Sequence, residues 1–504
     1  MDQEEFGWLV NRLEAEAANR PAAFRAKVIL ICCAAYIVLF AALALYAAFV
    51  VTGWIYLADN GAWFHKAGFA LATLAALPVF YGVFKILLTP LDPPSGRRLT
   101  RAEAPVLFDL LDKMRRKLGG PPIHHVLLDE EYNASICQLP RWGLAGPVTN
   151  YLTLGLPFML GGQTSEIMSL VAHEYGHLCG AHGKLGAWIY RQRATLYAVY
   201  RNVGESDNES PWHAAMAWMM NRYMPYHDAY TFVLARQDEY EADRTASKLV
   251  GAEASANGLV RGTLLGSWFY DSFWPTLYRQ CETRERPAFL PYQAMHTAFK
   301  MSYPEWATEA RLKQAWKKDS AADDTHPCLR DRIEALGLAA RLPQPITANA
   351  ASALLGASAK ALVEEFDRNW WAREGREWGA RHRQVSRSRE RLGELAGRPL
   401  GSLPLHELQE LAMLKVEVES PQAAKPALEY LLRQGGGPFP KAELTYGRIL
   451  VADGDSRGLD FLRSAARHDR RLSDDALGSG YHFLMDEHGE DAAQAWVNDT
   501  LQAA

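Results

Sequence analysis

The sequence predicts a mainly α-helical protein: two N-terminal transmembrane helices, then an α+β domain with a small sheet around a metal-type histidine motif, then a C-terminal helical region. Three observations carry this. Residues 28–57 hold no charge and 67–88 form a second apolar run; His173-Glu174-Tyr175-Gly176-His177 follows several short β-type segments; and beyond residue 343 the composition turns to helix formers with a faint repeat. At 504 residues and 49% hydrophobic content, the chain can bury more than one core.

A formal charge of -4 leaves no basic excess for a nucleic-acid partner. The six cysteines (32, 33, 137, 179, 281 and 328) are scattered without a CxxC pair, so they read as reduced thiols.

Residues 1–27 form the first segment, an amphipathic helix with Phe6, Trp8, Leu9 and Leu13 at helical spacing, leading toward the membrane. It lacks the basic start of a signal peptide. Residues 28–92 are expected to be a transmembrane hairpin, since about 20 apolar residues suffice to cross a bilayer. Arg12, Arg20, Arg25 and Lys27 precede it and Arg97, Arg98 and Arg101 follow, which places both ends in the cytoplasm. Trp54, Tyr56, Trp63 and Phe64 suit an interfacial belt. Everything after residue 93 is then cytoplasmic, beside an inner membrane of the bacterial type.

Residues 93–342 form the metal-site domain. Val106, Leu107, Leu110, Leu111 and Met114 give 102–118 a helical stripe, stopped by Gly119-Gly120-Pro121-Pro122. Residues 123–128, 133–137 and 148–154 read as strands. Thr164 or Ser165 is the expected cap of the next helix, whose buried stripe is Ile167, Leu170, Val171 and Leu178. His173 and His177 stand one turn apart beside that stripe. The spacing lets two imidazoles hold one zinc ion while Glu174 activates a zinc-bound water.

A third ligand is needed. In 234–244, helical phase puts Glu239, Ala242, Asp243, Ala246 and Val250 on one face and Glu241, Arg244, Thr245 and Lys248 on another. Carboxylates in an apolar stripe require a cation or hydrogen bonds. Glu239 is assigned as the third zinc ligand, and Asp243 as an acceptor that orients an imidazole or reaches the reacting centre. The competing use of such carboxylates is a buried ion pair with an arginine. His182 is not a ligand on this reading, because the HExxHxxGxxH register would need a histidine where Gly183 stands.

These residues resemble the HtpX-like and CAAX-prenyl-protease group of membrane-associated zinc metalloendopeptidases. The resemblance rests on 173–177 followed by His182, on 239–243, on Thr325-His326-Pro327 followed by Arg332-Ile333, and on Asn133-Ala134-Ser135. It spans about 102–338. It implies a zincin-like domain with zinc on His173, His177 and Glu239, Glu174 as the catalytic base, Asp243 as a catalytic aspartate and His326 as a cleft histidine near substrate. It also implies that the segment around Asn133 is an edge strand that pairs with a peptide substrate. The charges scattered over 184–237 depart from members with further spans there, and two spans cannot build the multi-span chamber of the prenyl proteases.

Residues 343–402 read as a helical linker, with Trp370, Trp371 and Trp378 and a basic run from Arg381 to Arg391 that suits a solvated face or anionic lipid heads. In 403–504, Tyr446, Gly454 and Phe461 align with Tyr481, Gly489 and Trp496 at an offset of 35, near the period of tetratricopeptide (TPR-like) helix pairs. Such pairs would offer a surface to a protein partner. The expected function is a membrane-anchored endopeptidase acting on protein or peptide substrates. The alternative of another class is a membrane-tethered scaffold with an idle or structural zinc site, and a third is hydrolysis of a non-peptide amide.

Overall fold

The computed structural model describes residues 3–502 except 61, 72, 75–91, 143–144, 180–184, 187, 190–191, 194–195, 198–210 and 321–325. The chain divides into two compact units, Met1–Pro275 with Phe289–Asn369 and Thr276–Ala288 with Trp370–Ala504. Both are rich in helix, and the one sheet among the described residues lies in the first.

The first unit opens with α1 (Gln3–Asn19) and the 40-residue α2 (Pro21–Asn60). Helix α1 buries Val10, Leu13 and Ala17 against the chain itself; of the apolar residues expected on that face, Leu13 is buried, Phe6 and Leu9 are half-buried and Trp8 is exposed. Among the described residues no helix is long and apolar enough to cross a membrane. The two expected spans therefore gain no support from the fold. The first falls within α2, where the side chains at 35, 38, 39, 42 and 43 lie outside the description; most of the second lies outside the described residues.

Helix α3 (Pro105–Leu118) buries Leu107, Leu111 and Met114, and ends where Gly119 takes φ 65° and its N–H closes on the carbonyl of Arg115. The strands are β1 (Arg97–Leu99), β2 (His125–Asp129), β3 (Ala134–Trp142) and β4 (Ala145–Gly155). Their order is β1-β2-β4-β3, with β2 and β4 parallel and the outer pairs antiparallel. Three strands were expected; β1 is an addition that three residues of arginine and leucine do not announce. β3 is an edge strand. Pro140 sits beside a register shift in it, a place where a missing N–H costs little.

After β4, the short α4 (Leu156–Gly161) leads into α5 (Thr164–Gly176), which carries the histidine motif. Its cap is Gln163 rather than Thr164 or Ser165. The Gln163 side chain accepts from the backbone at Glu166 while Glu166 accepts from the Gln163 N–H, so the acid in the first turn selects the cap one residue earlier. Gly180 and Gly183, expected to end this helix, lie outside the described residues, as does His182. The 40-residue α6 (Pro211–Val250) crosses α5 and supplies the downstream carboxylates. Helix α7 (Ala252–Trp268), α8 (Pro291–Met301) and α9 (Leu329–Ala335) complete the surroundings, with Tyr132, Phe158, Phe269 and Phe299 stacked edge to face in the core.

In the second unit, α10 (Ala359–Ala396) contributes its residues from Trp370 onward. Trp370 and Trp378 are buried, and the two ends of the basic run are ion-paired: Arg381 with Glu417, and Arg391 with Glu394, Glu407 and Glu410. The remaining helices come as α11 and α12 (Leu405–Val418, Pro421–Leu432), α13 and α14 (Pro440–Ala452, Gly458–His468), and α15 and α16 (Ser473–His488, Glu490–Gln502). Gly454 and Gly489, paired by the 35-residue offset, both take positive φ, 78° and 82°, in the turns that follow α13 and α15. Phe461 packs edge-on against Tyr446 at 5.0 Å, and Trp496 closes over Gly480.

Candidate metal centre

His173 and His177 project from the last turn of α5 and Glu239 reaches them from α6. The ligand atoms of these three residues lie within 4.8 Å of one another. His173 Nε2 is 3.3 Å from His177 Nε2 and 3.3 Å from Glu239 Oε2, while His177 Nε2 is 3.4 Å from Glu239 Oε1. The approach depends on Gly176: a methyl group there would meet the Cα of Ala242 at 3.3 Å, so glycine lets α6 close on α5. Gly176 is the last residue of α5, and its missing side chain lets Glu239 approach the two histidines.

On α6, Glu239, Ala242, Asp243 and Ala246 are buried and Arg244 and Lys248 exposed, as helical phase predicts, while Val250, Glu241 and Thr245 are half-buried. Asp243 stands behind His173: its Oδ1 is 2.8 Å from His173 Nδ1, and both oxygens accept from Arg332 on α9, at 2.8 Å from Nε and 2.6 Å from Nη2. The two uses weighed for this carboxylate, orienting an imidazole and pairing with an arginine, are thus realised together. It does not line the cavity in front of the histidines. Burial works against its charge, but the Arg332 and His173 hydrogen bonds outweigh that and hold Asp243 down at about 2.

With Asp243 ionised, His173 Nδ1 donates to it, and Nε2 is the ring nitrogen that faces Glu239. Three acceptor atoms therefore converge. Glu239 Oε2 is buried without a hydrogen-bond partner, a costly state that a cation relieves. Burial opposes charge on His173, yet the nearby Asp243 and Glu239 carboxylates raise it to about 9, so without a metal it holds a proton that a bound cation would displace; burial likewise opposes charge on Glu239, and the two imidazoles pull it well below the carboxylate range. The donor set fits zinc: two imidazoles, neutral once a cation displaces the proton, and a carboxylate, with Asp243 behind orienting one of the rings.

A cavity of about 930 Å³ opens in front, lined by Glu174, His177, Glu239 and His326 and by Ser135 to Gln138 of β3. Glu174 Oε2 accepts the backbone N–H of Ile136 at 3.2 Å, which fixes the carboxylate between the histidines and the edge strand. Desolvation pushes its pKa up, partly offset by the two histidines. His326 stands at the mouth, largely exposed, with Nε2 3.8 Å from Glu239 Oε1. The Gly155 N–H bonds the carbonyl of Asn133, so in β3 the odd-numbered residues face β4 and Ala134, Ile136 and Gln138 turn their backbone polar groups outward.

His173, His177, Glu239, Glu174 and His326 therefore lie together here, and Asp243 stands behind His173. The residue that sequence reasoning left without a role is Arg332. The need was legible, since a buried carboxylate one turn after Glu239 requires a permanent donor and arginine is suited to bidentate pairing, but which arginine supplies it was not.

Residues 148–339 match the model of Peptidase family M48, a span that covers β4, α5, α6 and α9. No curated protein matches the chain. The matched segment contains the histidine pair, Glu239, Asp243, His326 and Arg332, and the similarity supports a metallopeptidase domain, a kind of peptidase typically dependent on zinc.

Proposed function

We propose that the chain is a zinc-dependent endopeptidase that cleaves extended polypeptides, with His173, His177 and Glu239 holding the metal and Glu174 as general base. The observation that carries this is the convergence of three acceptor atoms, one of them orphaned, beside a carboxylate that opens on a cavity. A zinc ion held there would supply Lewis acidity toward the scissile carbonyl and toward water near neutral pH. Glu174 takes the proton of that water and hands it to the leaving amine; its raised pKa suits a base that must also become an acid. Asp243 and Arg332 hold the His173 ring and tautomer. The outward carbonyls of Ala134, Ile136 and Gln138 and the Gln138 N–H offer pairing to a substrate main chain as an added strand, the Ile136 N–H being held by Glu174 and the Ala134 N–H by Asn133 Oδ1, so cleavage depends little on sequence. His326, at the cavity mouth, contacts substrate or the developing oxyanion.

The reading includes a membrane anchor. Residues 28–57 are uncharged, and at about 1.5 Å per residue a helix of that length exceeds the hydrocarbon thickness of a bilayer. Ile29, Leu30, Ile37, Phe40, Leu45 and Phe49 are exposed on α2, as lipid-facing side chains would be. The arginines and lysine flanking the apolar runs put the domain on the cytoplasmic side.

The test is Glu174→Gln in the full chain, with zinc content and digestion of an unfolded protein measured together. Zinc remains bound while turnover drops at least a hundredfold, the scale of a lost general base. Turnover surviving in that variant sinks the assignment. Zinc without turnover in the unaltered chain would instead mark a scaffold.

A further inference from the structure

We propose that α1 and the first turns of α2 form a clamp that positions Glu239, with Glu14 and Arg25 as its positioning residues. The inference rests on the metal-centre reading above and concerns how that centre is held.

Helix α6 is gripped from two sides. On one, Ala242 packs against Gly176 of α5. Elsewhere along α6, Phe232 and Val233 are buried in a cluster with Val10, Leu13 and Ala17 of α1 and Phe24 of α2, and Phe24 stacks on Tyr230 at 5.7 Å. Two ion pairs bracket the ligand. Arg236, one turn before Glu239, donates from Nη1 to Glu14 Oε1 at 2.6 Å and lies 4.5 Å over the Phe232 ring, its side chain 9% exposed. Glu241, two residues after Glu239, lies 3.4 Å from Arg25 Nη2. Both flanks of the ligand are thus tied to the first 25 residues of the chain.

The tie matters because Glu239 alone among the three ligands comes from outside α5. Its carboxylate must stay beside two imidazoles whether or not a cation neutralises it, and a small rotation of α6 would relieve that crowding at the expense of the site. Residues that hold a ligand in place typically govern metal affinity by ten- to a hundredfold. The clamp also joins the metal centre to the start of α2, the helix read as the anchor.

The experiment uses the full chain with Glu14→Gln, Arg25→Gln and the swap of Glu14→Arg with Arg236→Glu. Zinc affinity is measured by chelator competition, and hydrogen exchange is followed at the α6 amides from Arg236 to Asp243 in zinc-free protein. Each single variant should weaken zinc binding about tenfold and speed exchange at those amides. The swap should recover most of both, which a loss of bulk packing would not allow. Arg25→Gln touches a partly exposed pair and spares the buried cluster, so it remains informative if Glu14→Gln folds poorly. Affinity and exchange unchanged in the single variants overturn the clamp. If the unaltered chain takes up no zinc, the metal-centre reading fails, and exchange on α6 still decides the clamp: faster exchange supports it and unchanged exchange removes it.

Discussion

Two buried charge clusters sit at opposite ends of α5, and they are built to opposite ends. At the start of the helix, Glu166 and Arg261 are 4% and 2% exposed and close on each other, Nε to Oε2 at 2.7 Å and Nη2 to Oε1 at 3.1 Å. The Gln163 N–H and the Gln344 carbonyl take up further capacity at 2.9 and 2.7 Å. At the end of the helix, His173, His177 and Glu239 are as crowded but share no fixed positive charge of their own, and Oε2 of Glu239 is left over. Burying charge is costly in both places. The first cluster matches its charges internally, with Arg261 Nη1 left without a hydrogen bond while the guanidinium lies 5.7 Å over the Trp306 ring, and fastens the helix; the second leaves carboxylate charge for a ligand.

Breaking each cluster should therefore fail in a different observable. Arg261→Met strands Glu166 in the core, and loss of one partner of a buried pair costs about 3–5 kcal/mol. We expect a large fall in melting temperature with zinc stoichiometry retained. If the variant melts like the unaltered protein, the closed pair is not what holds α5.

Asp243→Asn should do the reverse. Zinc affinity falls about ten- to a hundredfold because the His173 ring loses its ionised acceptor, while Arg332 keeps a carbonyl partner and melting changes less than in Arg261→Met. Chelation of the unaltered protein should lower its melting temperature, since a ligand that binds only the folded state stabilises it. The same decrement is expected in Arg261→Met, and a smaller one in Asp243→Asn at limiting zinc. Equal decrements in all three would mean that Asp243 does not serve the metal.

The contrast also explains what the sequence could show. Periodicity decides burial, so Glu239 and Asp243 were legible as inward residues, and the one-turn spacing of the histidines required no tertiary knowledge. Partners distant in sequence were not legible. Arg332 lies 89 residues from Asp243 and Arg261 lies 95 from Glu166, and nothing local in a short helix says which carboxylate an arginine will reach. The sheet divided the same way: β2, β3 and β4 carry β-branched and aromatic residues, but the edge position of β3, which exposes Ile136 to Glu174, is set by a parallel crossover between β2 and β4. The contact of α1 with α6 was equally out of reach, since an amphipathic face does not name what it covers.

A third carboxylate sharpens the comparison, because Asp129 at the end of β2 is desolvated with neither an arginine nor a ligand site beside it. Burial pushes its pKa up to about 6; the Glu131 N–H, 3.1 Å from Oδ1, pulls the other way, and Glu130 and Glu131 add to the rise. The folded state thus binds this proton more tightly than the unfolded chain does, whose aspartates titrate near 3.9. Its contribution to stability is greatest below about pH 4, is lost as pH rises through about 6, and is flat above. Asp129→Asn keeps an oxygen for the Glu131 N–H and removes the charge. In chelated protein the variant should melt higher than the unaltered chain at pH 7 and at the same temperature at pH 3. A difference of equal size at both pH values would show that the effect is packing, and that Asp129 carries no charge penalty for the folded protein to bear.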